Sequence, residues 1–199
     1  MFRIILFLLL ILPTNLYAKE CTEEINFIAE KHNISVFCDV SLFKQTDTDV
    51  GGNNPNTNEL HNLFPYLKNF LESYPRGFVN KHLKNIYLVQ DLTLNNMPVG
   101  GLSNGRDIWI RARVYGGKYK DFLNYVLHHE FSSGLIRKNY KIMSDWRQFS
   151  TYYYDESYEY NLKNVSDFGY SRGSGYEVNH RGFINNYAKT NPENDFNTY

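Results

Sequence analysis

The eight residues Asp107–Val114 constrain the fold more than any other stretch. Ile108, Ile110 and Ala112 take one parity, and Trp109, Arg111 and Arg113 take the other. Side chains alternate across a strand, so this period-two pattern puts an apolar row on one face of a sheet. After Gly116-Gly117 the period changes. Phe122, Val126 and His129 lie on one side of a helix over Asp121 to Ser133, and Leu123, Leu127 and Phe131 widen its apolar stripe. Gly134 is the expected C′ residue that ends it. A strand followed by an amphipathic helix points to a mixed α+β domain.

Upstream, Ile25, Phe27, Ile28 and Ala29 make Glu23 to Lys31 a short helix, and Ile34 to Val40 reads as a strand. Residues 45–58 are rich in Thr, Asp, Asn and Gly, so few can enter a core and a loop is expected. Leu60, Leu63, Phe64, Leu67, Phe70, Leu71 and Tyr74 recur at helical spacing, with Pro65 demanding either a kink or a nearby start. Ile86 to Val89 is a buried-strand candidate. From Lys138 onward Tyr, Asn, Ser and Gly dominate and the periodicity is poor. Tyr152, Tyr153, Tyr154, Tyr158 and Tyr160 read as loop residues packed on the surface in preference to a sugar-binding or peptide-binding platform.

The N terminus reads as an export signal. Arg3 supplies a positive start, Ile4 to Pro13 is apolar, and Leu16-Tyr17-Ala18 stands where cleavage is expected. The apolar run is short for a bilayer span, so residues 1–18 are expected to be a cleaved signal peptide. No stable membrane span would then remain, and the destination is periplasmic or secreted. No lipobox-like Leu-Ala-Gly precedes Cys21. Residues 19–199 suffice for a single domain with its own core, irregular and Tyr/Asn-rich towards the C terminus. In an oxidising compartment the lone pair Cys21 and Cys38 is expected to form one disulfide, contributing about 3 kcal/mol in the chain-entropy account. Their spacing matches no common zinc-knuckle pattern. The 21 basic and 21 acidic residues cancel, and without a basic stripe nucleic acid is not the expected partner.

The chemistry concentrates in Leu127-His128-His129-Glu130-Phe131-Ser132-Ser133. His followed by Glu on an amphipathic helix is the first half of H-E-x-x-H, in which two His one turn apart hold Zn²⁺ and the Glu activates its water. Here Ser133 occupies the second His position. Two plainer readings stand beside it. The His-His pair can be a buried, hydrogen-bonded structural pair, and Glu130 can be an ion-pair partner for Arg111 or Arg113. There is no Gly-x-Ser-x-Gly elbow, no phosphate-cradling Gly-rich loop and no dinucleotide fingerprint at Gly100-Gly101.

Downstream, Gly182-Phe183-Ile184-Asn185-Asn186-Tyr187-Ala188 runs on to Asn191-Pro192-Glu193-Asn194-Asp195-Phe196. Together with the His129-Glu130 helix this resembles zinc-binding metallopeptidases of the bacterial envelope, a gluzincin-like family, over roughly Leu60 to Tyr199. The resemblance implies a zincin-like fold: a small mixed sheet with an edge strand, here Asp107–Val114, above a metal-site helix. It implies His129 as a zinc ligand, Glu130 as general base, and Asp195 or Glu193 as the carboxylate ligand. Ser133 departs from the pattern. His128 or His180 can supply the missing nitrogen, or the site holds no metal, although helical neighbours about 100° apart do not readily face one ion. Trp109, Arg111 and Tyr187 are the expected substrate contacts. Two functions follow. One is an exported zinc-dependent hydrolase of peptide bonds acting on a peptide or protein. The other is a non-catalytic zincin-fold envelope protein that binds a peptide or glycan.

Overall fold

The computed structural model describes residues 21–42, 49–113, 119–149 and Glu193. The leader, the tyrosine cluster, His180, Tyr187 and Asp195 lie outside them. The chain opens with helix α1 (Glu23–His32) and strand β1 (Ser35–Phe37), followed by β2 (Val50–Gly51). Helices α2 (Thr57–Glu72) and α3 (Phe78–His82) come next. Strands β3 (Asn85–Val89), β4 (Thr93–Leu94), β5 (Met97–Pro98), β6 (Gly101–Ser103) and β7 (Asp107–Arg111) succeed them. The last elements are α4 (Tyr119–Lys138) and α5 (Tyr140–Phe149).

Local chemistry sets several boundaries. Asn33 ends α1 in the left-handed conformation, at φ 54°, which asparagine tolerates better than most residues. A reciprocal capping box starts α2. The Asn56 side chain accepts from the Glu59 amide at 2.9 Å, and the Glu59 carboxylate accepts from the Asn56 amide at 2.9 Å. The segment expected to be loop therefore holds β2, the α2 cap and the first residues of α2. The α2 helix runs through Pro65 without ending. Leu63, Leu67, Phe70 and Leu71 are fully buried around that point, so tertiary packing outweighs the missing backbone bond.

The main sheet has the order β1-β3-β7-β6. Strands β1, β3 and β7 are parallel, and β6 runs antiparallel to β7. The Asp107–Val114 segment is expected at the sheet edge; instead β7 is interior, and among the described residues the edges are β6 beside it and β1 on the far side. The burial of β7 explains the placement. Ile108, Trp109 and Ile110 are 1 %, 4 % and 0 % exposed, which an interior strand covered on both faces requires. A smaller antiparallel sheet, β2-β4-β5, is hydrogen-bonded separately.

The alternation read from the sequence holds. Ile86, Leu88, Ile108, Ile110 and Ala112 join α1, α2 and α4 in the larger core. Tyr87, Val89 and Trp109 turn the other way, onto Val50 and Leu92 beside the small sheet. There Phe37, Tyr87 and Trp109 stack in adjacent strands, with ring centroids 5.1 and 5.2 Å apart. The molecule is thus mixed α+β, with helices on one face of the main sheet. A disulfide joins Cys21 to Cys38 and ties the start of α1 to the end of β1.

Two expectations about the later chain are corrected. Gly134 does not end α4, which continues to Lys138. A Cβ on Gly134 would stand 3.2 Å from the Gly105 carbonyl and 3.2 Å from Ser103 Oγ, so its smallness serves the close approach of helix to sheet. The poor periodicity after Lys138 also concealed α5. No helix is long and apolar enough to cross a membrane among the described residues.

Candidate functional site

Helix α4 carries the site and packs against β6 and β7. The two histidines of its motif diverge, as neighbours on a helix must. His128 points into an aromatic group. Its Nδ1 is hydrogen-bonded to the Tyr74 hydroxyl at 2.8 Å, and its ring meets Phe70 edge-on at 5.2 Å. Burial holds its pKa below the ordinary range, so the ring is neutral at physiological pH. This matches the plainer structural reading of that residue.

His129 is a different case. It is 7 % exposed, and its Nδ1 is hydrogen-bonded to the Tyr125 hydroxyl at 3.2 Å. Burial pushes its pKa down to about 4, so it is a neutral imidazole with a lone pair on one nitrogen. Ser133, one turn on, is buried at 3 % exposure.

Glu130 reaches β6. A Cβ on Gly101 would stand 2.7 Å from Glu130 Oε1 and 2.6 Å from its Cγ, so only glycine lets the carboxyl lie against the strand. Burial pushes this carboxyl up to about 8. The Arg137 charge pulls it back, and the nearby Glu193 charge raises it further. Glu130 therefore holds a proton at neutral pH. It does not pair with Arg111 or Arg113. Those two meet Asp91 at 3.2 and 2.8 Å, on the opposite face of the sheet from α4.

The outer edge of β6 has a definite polarity. The Arg111 amide donates to the Gly100 carbonyl, and the Asn104 amide to the Asp107 carbonyl. In an antiparallel pair, bonded and non-bonded residues alternate. With Gly101 opposite Ile110 and Ser103 opposite Ile108, both residues turn their N–H and C=O groups away from β7. The Ser103 carbonyl accepts from Arg137 Nη1. Among the described residues the outward groups of Gly101 meet no partner.

Of the expected constellation, Glu193 lies near enough for its charge to act on Glu130, whereas His128 is drawn off to Tyr74. Trp109 lies in the second core, stacked on Tyr87, and does not face α4. Arg111 shares that face. His180, Asp195 and Tyr187 fall outside the described residues. Among the described residues no three His, Cys, Asp or Glu side chains are grouped to hold a metal ion. These residues by themselves offer one imidazole and do not make up a zinc centre. Sequence reasoning overlooked β6 and Arg137. Three residues, one of them glycine, carry no strand signal, and Arg137 looks like an ordinary cation at a helix end.

No protein-family model matches this chain, and no curated protein or solved structure matches it.

Proposed function

We propose that this chain is a metallopeptidase-related, exported protein of zincin-like architecture that holds an extended peptide along the outer edge of β6. The observation that carries this reading is the juxtaposition of the outward Gly101 backbone groups with the Glu130 carboxyl. Strand addition uses such a row of main-chain donors and acceptors for affinity. A protonated Glu130 beside it donates a hydrogen bond to a peptide carbonyl. The order of an interior strand, an antiparallel edge and a helix beneath supports the zincin-like part. The Cys21–Cys38 disulfide supports export to an oxidising compartment.

In the leading form the cleft binds without cutting. Ser133 in place of the second imidazole favours this, since a neutral hydroxyl is a weak zinc ligand. A second form is hydrolytic, and a specific observation favours it too: His129 is neutral, and the charge of Glu193 is felt at Glu130. Together with a further donor from the C-terminal segment they would hold zinc, which supplies Lewis acidity at a scissile carbonyl. Glu130, with a pKa near neutrality, would move the proton.

Metal analysis of the purified protein separates the two. Stoichiometric zinc that is lost in His129→Ala, with peptide cleavage lost in Glu130→Gln, establishes the hydrolase. Peptide binding without micromolar metal affinity establishes the binding protein. If no extended peptide binds and none is cut, the whole proposal fails.

A further inference from the structure

Arg137 differs from the other cations around the sheet. Lys31 meets Glu72, Arg111 and Arg113 meet Asp91, and Lys141 meets Asp145 in ion pairs among the described residues. Arg137 belongs to none of them. It is exposed, and its guanidinium donates to the Ser103 carbonyl. That carbonyl is one of the groups β6 turns outward, so the guanidinium lies in the row that an added strand would occupy. A guanidinium has five N–H donors in a planar fork; one carbonyl engages one of them and leaves the rest for a second acceptor.

The spacing fixes what that acceptor is and where it lies. Glu130 packs on Gly101, and Arg137 reaches Ser103, two residues along the same strand. The two helix positions are two turns apart, about 10 Å along α4. Their side chains converge on β6 at positions two residues apart, about 7 Å of extended chain. A guanidinium with donors left over from the Ser103 carbonyl favours a carboxylate, which it binds through two parallel hydrogen bonds.

We infer that Arg137 determines the specificity of the peptide edge by gripping a carboxylate of the bound peptide about two residues from the segment lying over Gly101. This rests on the peptide-binding reading above and names its ligand class. The carboxylate is either an acidic side chain or the peptide's own C terminus. The outward edge of β6 is then a site for an acidic or C-terminal peptide segment and not for an uncharged one.

The test uses the full chain and an extended Thr/Val heptapeptide, acetylated and amidated. Single-Glu variants at each position and a free-carboxylate form complete the set, read by fluorescence anisotropy. One Glu position, or the free C terminus, is expected to bind about tenfold more tightly than the uncharged parent. Arg137→Gln should abolish that preference while the parent peptide still binds. Arg137→Lys should keep part of it, because charge remains but the fork is lost. An amide-sensitive gain identifies the C terminus, and a position-specific Glu gain identifies a side chain. Equal binding of charged and uncharged peptides overturns the assignment but leaves peptide binding intact, as does a preference that survives Arg137→Gln. Failure of every peptide to bind overturns both, and light scattering then reports whether a second copy of the chain pairs with β6.

Discussion

Glu130 couples stability to protonation. Its folded pKa of about 8 lies above the ordinary 4.5. Between those values the native state keeps a proton that the unfolded chain has released, so stability falls as pH rises through that window and levels off above it. Glu130→Gln keeps the shape and removes the titration. Its advantage over the wild type in urea unfolding should grow from about pH 4.5 to about pH 8. A constant difference across that range would contradict the placement of the carboxyl. His129 acts in the opposite sense. Its folded pKa of about 4 lies below the ordinary 6.5, so its contribution is lost as pH falls from 6.5 towards 4. Gly101 is the steric counterpart. Gly101→Ala would put a methyl group against Glu130 and Val126, and a loss of about 1–3 kcal/mol is expected. Part of that loss should return in the Gly101→Ala, Glu130→Ala double variant. Strict additivity in the double-mutant cycle would mean that the two do not touch.

At the level of elements, legibility followed the strength of the local period. The α1 and α2 helices and strands β3 and β7 came directly from apolar spacing. Strand β6 did not, because three residues with a leading glycine carry no alternation to read. Gly134 misled for a physical reason. Glycine serves both helix ends and close packing, and only the partner strand decides which. The paired cysteines were legible because a lone pair of thiols in a chain expected to be exported has one simple fate. The disulfide closes a segment of sequence separation 17 around α1. Replacing both cysteines by serine is expected to cost about 2–4 kcal/mol, seen as a lower melting temperature that reductant no longer shifts. A variant whose stability equals that of the reduced wild type agrees with this; one as stable as the oxidised protein does not.

At the scale of the molecule, the main sheet is covered on both faces, by helices on one side and the small sheet on the other. Leu88 sits at the centre of the larger core, 1 % exposed. Leu88→Ala should cost about 2–5 kcal/mol through the cavity it leaves. The loss should appear in one cooperative transition if the two cores unfold together. Two transitions would mean that the β2-β4-β5 side melts separately. The candidate site belongs to this scale as well. Glu130 acquires its raised pKa only because α4 is pressed against β6, and Arg137 faces the peptide edge only because the same helix continues past Gly134.

The sequence alone determined which segments are amphipathic, which face of each is apolar, that the two cysteines pair, and that His129 and Glu130 share one helix. Those are local properties, set by side-chain period and covalent neighbourhood. The tertiary structure decided strand order, the identity of the edge, the separation of His128 from His129, and the meeting of Glu130 with Gly101. Each of those depends on contacts between segments remote in the chain. No local spacing encodes such contacts, because burial and charge at one residue are set by whichever distant element packs on it.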